Sequence, residues 1–407
     1  MAAPTSDGDV ARGPKLAVTR AVPHLLLVGL GHAHLFVLEA RARAGQNRLR
    51  TTLVTPGAYH YSGMVPGMIA GDYRPAQSLF RPGYLARAAG ATWIDAQALR
   101  IDPHQQRVQL TDGRSLSYDL VSFNIGSGLA ADHLPGVQHH AITVKPVSAA
   151  LGVLAAAAKA VEQAPRTTPA EIVIVGGGAA GTEMAFCLDA ALEQRYARGR
   201  YRVTVLEAGP RLLGSYGERF RDKALAVLHQ RGIEVRTNVT VTAVEPSRIA
   251  VQHGPPIRYD ALLWATGPRA PRLFRDSDLP VDLAGYLRVT PALQVEGHPP
   301  IFGAGDCVSI TGYPWIPHAG VYAVRAGQML AQNIRAYVEG QTLTGYEPQR
   351  RWLSLMNTGD GRALLSYAGV VTHGRLAWWL KNAVDRRFMR RFQQLEHVGP
   401  RNPKQTA

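Results

Sequence analysis

The sequence predicts an α/β chain in which a strand, a glycine-rich turn, a helix and a second strand follow one another twice. Three observations carry this expectation. Glycine-rich turns begin at Gly29 and at Gly176, each directly after a short apolar run, HLLLV at 24–28 and EIVIV at 171–175. Each turn leads into a helix-forming segment, to Ala44 and to about Tyr196, and then into a run of strand formers, TTLVT at 51–55 and YRVTVL at 201–206. The 407 residues suffice for two or three domains, and 46% hydrophobic with 18% charged residues is the balance of a globular chain, not of a disordered one. A strand–turn–helix–strand of this size opens a Rossmann-like unit, so the expected fold is two Rossmann-like dinucleotide-binding domains.

In chain order, residues 1–20 carry Asp7, Asp9, Arg12, Lys15 and Arg20 and no apolar core. They read as a short disordered extension, not a signal peptide. No apolar stretch approaches the ~18 residues of a spanning helix, so a cytoplasmic chain is expected. In the first turn Gly29 and Gly31 fit the dinucleotide pattern, but His34 stands at the third glycine and Thr55 where a ribose-binding acid would end the next strand. His32 and His34 read as lining this turn; the rival reading, an HxH metal pair, lacks a supporting acid or cysteine cluster, and no metal is expected.

The alanine-rich stretch 149–161 reads as a helix crossing between domains. The second turn, VGGGAAGTE, satisfies the pattern fully at Gly176, Gly178 and Gly181. Glycines there let the backbone approach a pyrophosphate lying on the positive end of the next helix. Glu207 ends the following strand, where a carboxylate can hold an adenosine ribose hydroxyl and repel a 2′-phosphate, which favours NADH over NADPH. Further strands are expected near 108–110, 120–124, 233–236, 261–265 and 300–302. The ATGP turn around Gly267 suits a return between nucleotide domains, and GAGDC at 303–307 places Gly305 and Asp306 at a strand end. After Gly345 the pattern changes to a strand at 352–356 and a basic, tryptophan-bearing helix at 375–395. The domain expectation is therefore 21–148 with 268–345, an inserted domain at 149–267, and a C-terminal module at 346–407.

The net charge of +15 rests almost wholly on arginine, with only six lysines. No nucleic-acid-binding pattern accompanies it, so nucleic acid is not an expected partner. Two cysteines, Cys187 and Cys307, form neither a disulfide framework, nor a zinc module, nor the closely spaced pair of a dithiol enzyme.

With these residues assembled, the chain resembles the two-dinucleotide-binding flavoproteins of the pyridine nucleotide-disulfide oxidoreductase superfamily, in particular the type II NADH:quinone oxidoreductases. GLGHAHLFVL (29–38), YSGMVPGMIAG (61–71), HAGVYAVRAG (318–327), NTGDGRA (357–363) and WWLKNAVDRRFMRRF (378–392) resemble the branch associated with selenide, water dikinase. The resemblance implies non-covalent FAD on the first unit, with Gly29, Gly31 and Ala33 along the pyrophosphate and Asp306 on the ribitol. The 61–67 loop, with Gly63 and Met64, would pass near the isoalloxazine. NADH would lie on Gly176, Gly178, Gly181 and Glu207. Glu183 matches a family glutamate between nicotinamide and flavin, which orders the nicotinamide or relays a proton; its plain alternative is a first-turn helix acid.

Without a thiol pair, electrons would pass from NADH to flavin and directly to a quinone or another small acceptor. Gly320 stands where a quinone-site glutamine is expected, and His318 and Tyr322 are the candidate acceptor-side donors. In the last helix Leu376, Leu380, Val384 and Phe388 recur beside Trp378, Trp379, Arg386, Arg387, Arg390 and Arg391. Such a helix either lies on the inner face of an anionic membrane or docks on the FAD domain with its basic face in water; the second is expected, because Lys381 and Arg391 interrupt the apolar side. A homodimer is compatible with this reading. Two alternatives stay open: a selenium or sulfur acceptor, and a non-enzymatic flavin-bound redox sensor.

Overall fold

A computed structural model describes residues 22–44, 49–129 and 134–397. The expected N-terminal extension lies outside the described residues. The first sheet has eight strands. Its parallel part runs His298–Gly303, Leu120–Phe123, His24–Val28, Arg50–Val54 and Thr92–Ile94, and Gln294–Val295, Leu287–Val289 and Val308–Ile310 extend the other edge. Leu25, Leu26 and Leu27 are fully buried, as a parallel strand covered on both faces requires. The second sheet is wholly parallel, in the order Ile142–Thr143, Ala261–Trp264, Ala170–Val175, Tyr201–Leu206 and Glu234–Arg236. All its strands fall between two parts of the first, so the second dinucleotide unit is inserted in the first. Leu120–Phe123 and His298–Gly303 pair side by side across that insertion.

The Rossmann helices are His32–Ala44 and Ala179–Glu193, each starting at its glycine turn. His32–Ala44 packs against Gly320–Val338, and Gly327 is the contact: a Cβ there would come within 2.9 Å of the Ala33 Cα. The short helix Val65–Ala70 belongs in sequence to the first unit, yet Val65 and Ile69 are buried in the core of the second, against Ala179–Glu193. The two units therefore share packed side chains where Val65–Ala70 meets Ala179–Glu193.

Several expected elements change. The 149–161 helix is two pieces, Val147–Ala150 and Val153–Gln163, separated at Leu151 and Gly152. The C-terminal strand starts two residues later than expected, at Ser354–Asn357, and pairs with Ala363–Tyr367, itself paired with Val370–Gly374. The last helix spans Arg375–Glu396, and its docked side is not the expected one. Ala377, Lys381, Asp385, Met389, Phe392 and Glu396 face the protein, while Leu376 is 88% exposed and Trp379 71%. Lys381 lies on the buried side, because Asp385 lies 2.9 Å away and the Glu183 carboxylate, deeper in the fold, faces it at 3.6 Å. Glu396 is satisfied in the same manner by the Arg81 amide (2.9 Å) and guanidinium (3.3 Å). Buried ion pairs thus turn Leu376, Trp379, Leu380 and Val384 outward. Among the described residues no helix is long and apolar enough to cross a membrane.

Candidate functional site

The first glycine turn is built around a residue that the pattern does not include, Asn124. Its Oδ1 accepts from the amides of Ala33 (2.9 Å) and His34 (3.1 Å), and its Nδ2 donates to the Ala304 carbonyl at 2.7 Å. One side chain therefore caps the helix and ties the turn to the GAGD loop. Gly29 has φ +87°, and a Cβ on Gly31 would lie 2.4 Å from the Asn124 Oδ1, so both positions require glycine. Ala33 is different. It is fully buried, its amide is taken by Asn124, and it packs on Gly327, so it is a helix-contact residue and does not line a pyrophosphate.

His34 explains how a histidine replaces the third glycine. Its Nδ1 donates to the Gly29 carbonyl at 2.6 Å and its Nε2 accepts from the Ser122 hydroxyl at 2.9 Å. A carbonyl can only accept, which fixes the tautomer. Burial pushes the imidazole down to about 4, so it is neutral at neutral pH. With both ring nitrogens engaged, His34 is not a metal ligand. In the second turn the equivalent position is Gly181, where a Cβ would fall 1.9 Å from the Gly176 carbonyl. The same carbonyl position excludes a side chain in one turn and binds an imidazole in the other.

Gly176 has φ +112° and lies against the Ala265 carbonyl, while a Cβ on Gly178 would meet nothing within 4 Å. Glu207 reaches back to its own turn: Oε2 accepts from the Gly177 amide and Oε1 from the Gly209 amide, both at 2.7 Å. Each oxygen keeps a further lone pair for a ribose hydroxyl. Gly267 is exposed at the lip of the neighbouring strand.

Asp306 stands at its strand end with its side chain 22% exposed, 3.8 Å from the Lys145 ammonium, which also donates to Ser127 at 2.6 Å. Burial pushes Lys145 down, and Asp306 opposes this. Gly305 has φ +80° and no room for a Cβ beside the Asn124 Nδ2. Glycines at a helix N-terminus, with a partly exposed carboxylate across the cleft, fit the pyrophosphate and ribitol of FAD. His32 lies beside this turn, edge-on to Tyr61 (5.2 Å) and Phe388 (5.6 Å). A Cβ on Gly320 would come within 3.2 Å of the His32 ring, so the glycine found there makes room for it.

Between the two units lies a buried charged cluster. Glu183 Oε1 accepts from the Asn357 amide at 2.7 Å and lies 3.6 Å from the Lys381 ammonium. Lys381 also donates to Asp385 (2.9 Å) and to the Gly63 carbonyl (2.9 Å), and Tyr61 hydrogen-bonds Asp385. Met64, next in the loop, is fully buried. Burial pushes Glu183 up, and Lys381 and the Asn357 amide pull it back. Burial alone would lower Lys381, but Glu183 and Asp385 outweigh it and hold the ammonium charged. One ammonium thus faces two carboxylates inside the protein, and each charge is held by its opposite.

On the other side His318 stacks on Tyr286 at 3.6 Å, next to Asp306, and burial lowers its proton affinity. The expected role of Tyr322 as a free donor does not hold: its hydroxyl donates to the Gln349 carbonyl at 3.2 Å and its ring is buried near Trp315 and Trp352. Sequence reasoning missed Asn124, Lys145, Asn357 and Asp385. The only signal for Asn124 was its place at the end of an apolar strand, and for Asp385 its four-residue spacing from Lys381.

Two glycine turns at helix N-termini, an acid after the second and a carboxylate loop closing on the first, define a protein that holds two dinucleotides side by side. The chain belongs to the pyridine nucleotide-disulphide oxidoreductase family, whose model matches residues 23–333. It is 31% identical over 324 residues to the demethylphylloquinone reductase NdbB of Synechocystis, covering 77% of each chain. It is 28% identical to the type II NADH:quinone oxidoreductase Ndh of Mycobacterium tuberculosis, over 63% of this chain and 58% of that one. Its fold matches the structure of NDH2 from Plasmodium falciparum in complex with NADH with a TM-score of 0.78 at 15% identity, covering 93% of this chain and 99% of the other. The disulphide of the family name has no counterpart here, since Cys187 and Cys307 are both buried and free.

Proposed function

We propose that this chain is an FAD-dependent NADH dehydrogenase that passes electrons to a quinone-type acceptor without a redox disulfide. The observation that carries the reading is the junction between the two turns. It holds Glu183, Lys381 and Asp385 but only one thiol, Cys187, which faces the Asn357 carbonyl and is kept protonated by burial. A lone buried thiol cannot close the disulfide through which a dithiol enzyme moves electrons. FAD bound at Gly29, Gly31, Gly305 and Asp306 would accept hydride from NADH and return the electrons to the acceptor.

The protein's own residues do the rest. Gly176, Gly178 and Gly181 admit the NADH pyrophosphate, and Glu207 takes the ribose. Glu183 faces the nicotinamide with its carboxylate beside the Lys381 ammonium, and His32, Tyr61 and Phe388 wall the flavin turn. His318, beside Asp306, is the acceptor-side group. In domain terms, 21–148 with 268–345 carries FAD, 149–267 carries NADH, and 346–407 is the module that closes the junction. The outward Leu376, Trp379, Leu380 and Val384, with arginines beside them, support contact with the inner face of an anionic membrane, where quinones dissolve.

The test is steady-state NADH oxidation with menadione by the wild-type chain and by Cys187→Ala/Cys307→Ala, because both thiols are buried. Turnover that survives the loss of both thiols supports the reading. No turnover with menadione or a short-chain ubiquinone removes the quinone acceptor.

A further inference from the structure

The NTGDGRA segment lies in the C-terminal module, yet its first residue reaches Glu183. Asn357 is fully buried, and besides its carbonyl, which faces the Cys187 thiol, three of its groups are hydrogen-bonded. Its backbone amide donates to Glu183 Oε1 (2.7 Å), its Nδ2 donates to the Asp72 carboxylate (2.7 Å), and its Oδ1 accepts from the Gly359 amide (2.9 Å). These partners lie on three parts of the chain: the helix after the NADH turn, the loop after Val65–Ala70, and the C-terminal sheet. The close approach is enforced by glycine. A Cβ on Gly359 would lie 3.0 Å from the Cys187 Cα, and one on Gly67 would lie 3.3 Å from the Asn357 Nδ2.

From this geometry we infer that Asn357, anchored by Asp72, is the positioning residue that fixes the Glu183 carboxylate for its work on the nicotinamide. This rests on the proposed role of Glu183 and deepens it. The side chain acts through the backbone: clamped at both ends, it has no freedom to turn its amide away from Glu183. One oxygen of Glu183 is thereby fixed, with Lys381 on the same oxygen, and the other is left to face the substrate. The remaining charged and titratable groups around Glu183 are Asp385 on the last helix, Tyr61 on the flavin-side loop, Tyr216 before the helix Glu218–Gln230, and Cys187 on its own helix. None of them donates a backbone amide to it, so none replaces Asn357.

The Asn357–Asp72 pair permits a test by exchange. In Asn357→Asp a buried carboxylate faces the half-buried Asp72 carboxylate without a donor between them, and the turn must shift. In the double variant Asn357→Asp/Asp72→Asn the hydrogen bond returns with its direction reversed, and the Gly359 amide keeps its acceptor. The readouts are the rate of flavin reduction by excess NADH from pH 5.5 to 9, the NADH concentration for half-maximal rate, and thermal unfolding. Asn357→Asp should slow reduction by up to about a hundredfold, the scale of a misplaced catalytic group, and move the acid limb of the pH profile upward. The double variant should restore both.

A purely structural role would lower the unfolding temperature without moving the limb. That result overturns the inference, as does a wild-type rate in Asn357→Asp or a loss that the exchange does not repair. Glu183→Gln separates the layers. If it is slow while Asn357→Asp is normal, only the positioning role fails; if it is itself normal, the role of Glu183 fails and the positioning role with it.

Discussion

His34 permits a quantitative forecast. Replacing it with Ala leaves the Gly29 carbonyl and the Ser122 hydroxyl buried without the partners they have at 2.6 and 2.9 Å. Two unsatisfied groups at about 1–3 kcal/mol each predict a loss of about 4 kcal/mol at pH 7.5. The wild-type histidine has its own liability in acid. Its folded value is depressed from 6.5 to about 4, so the unfolded chain binds a proton that the folded one refuses. The favourable state is complete above pH 6.5, and stability is lost as pH falls towards 4, about 3 kcal/mol in all and about 2 kcal/mol by pH 5. His34→Ala has no such titration, so its deficit should shrink to about 2 kcal/mol at pH 5. Urea unfolding of both proteins, followed by tryptophan fluorescence at pH 7.5 and 5.0, measures this directly. A deficit that stays constant or grows in acid would refute the neutral, doubly bonded imidazole.

Three further outcomes follow from the same geometry. Gly181→Ala sets a Cβ against the Gly176 carbonyl at 1.9 Å, so NADH reduction should be lost while the purified protein stays yellow with flavin; loss of flavin instead would mean that the turn serves the other nucleotide. Glu207→Ala should raise the Michaelis constant for NADH about ten- to a hundredfold, the loss of a charged hydrogen-bond pair, and an unchanged constant would remove Glu207 from the ribose. Leu376→Asp/Trp379→Asp should abolish sedimentation with vesicles containing anionic lipid without changing flavin content; undiminished sedimentation would place the membrane contact elsewhere.

What could be read from sequence follows local chemistry. Both glycine turns stand out because a dinucleotide turn concentrates its requirements in six consecutive residues, and the strands around them are short apolar runs. Asn124 could not be read, because its three bonds go to Ala33, His34 and Ala304, which only the fold brings together. His34 looked like a defect until its ring was seen on Gly29 and Ser122. The last helix docks with Arg387, Arg390 and Arg391 in water, as expected, but on a side that its sequence does not mark. A four-residue apolar repeat says that one face is apolar, yet Lys381 and Asp385 satisfy each other, meet Glu183 and Gly63, and are buried with Ala377, Met389 and Phe392. Tyr322 had the right residue type beside the acceptor site, but its hydroxyl already donates to the Gln349 carbonyl.

The central claim is that electrons cross from NADH through the flavin to an external acceptor with no thiol between. An anaerobic NADH titration of the purified Cys187→Ala/Cys307→Ala protein beside the wild type, followed by flavin absorbance, tests it most directly. The account predicts full bleaching of both at about one NADH per flavin, the stoichiometry of a single hydride transfer, and return of the yellow colour on adding menadione. A flavin that NADH leaves oxidised, or one whose bleaching or reoxidation disappears without the thiols, would contradict it.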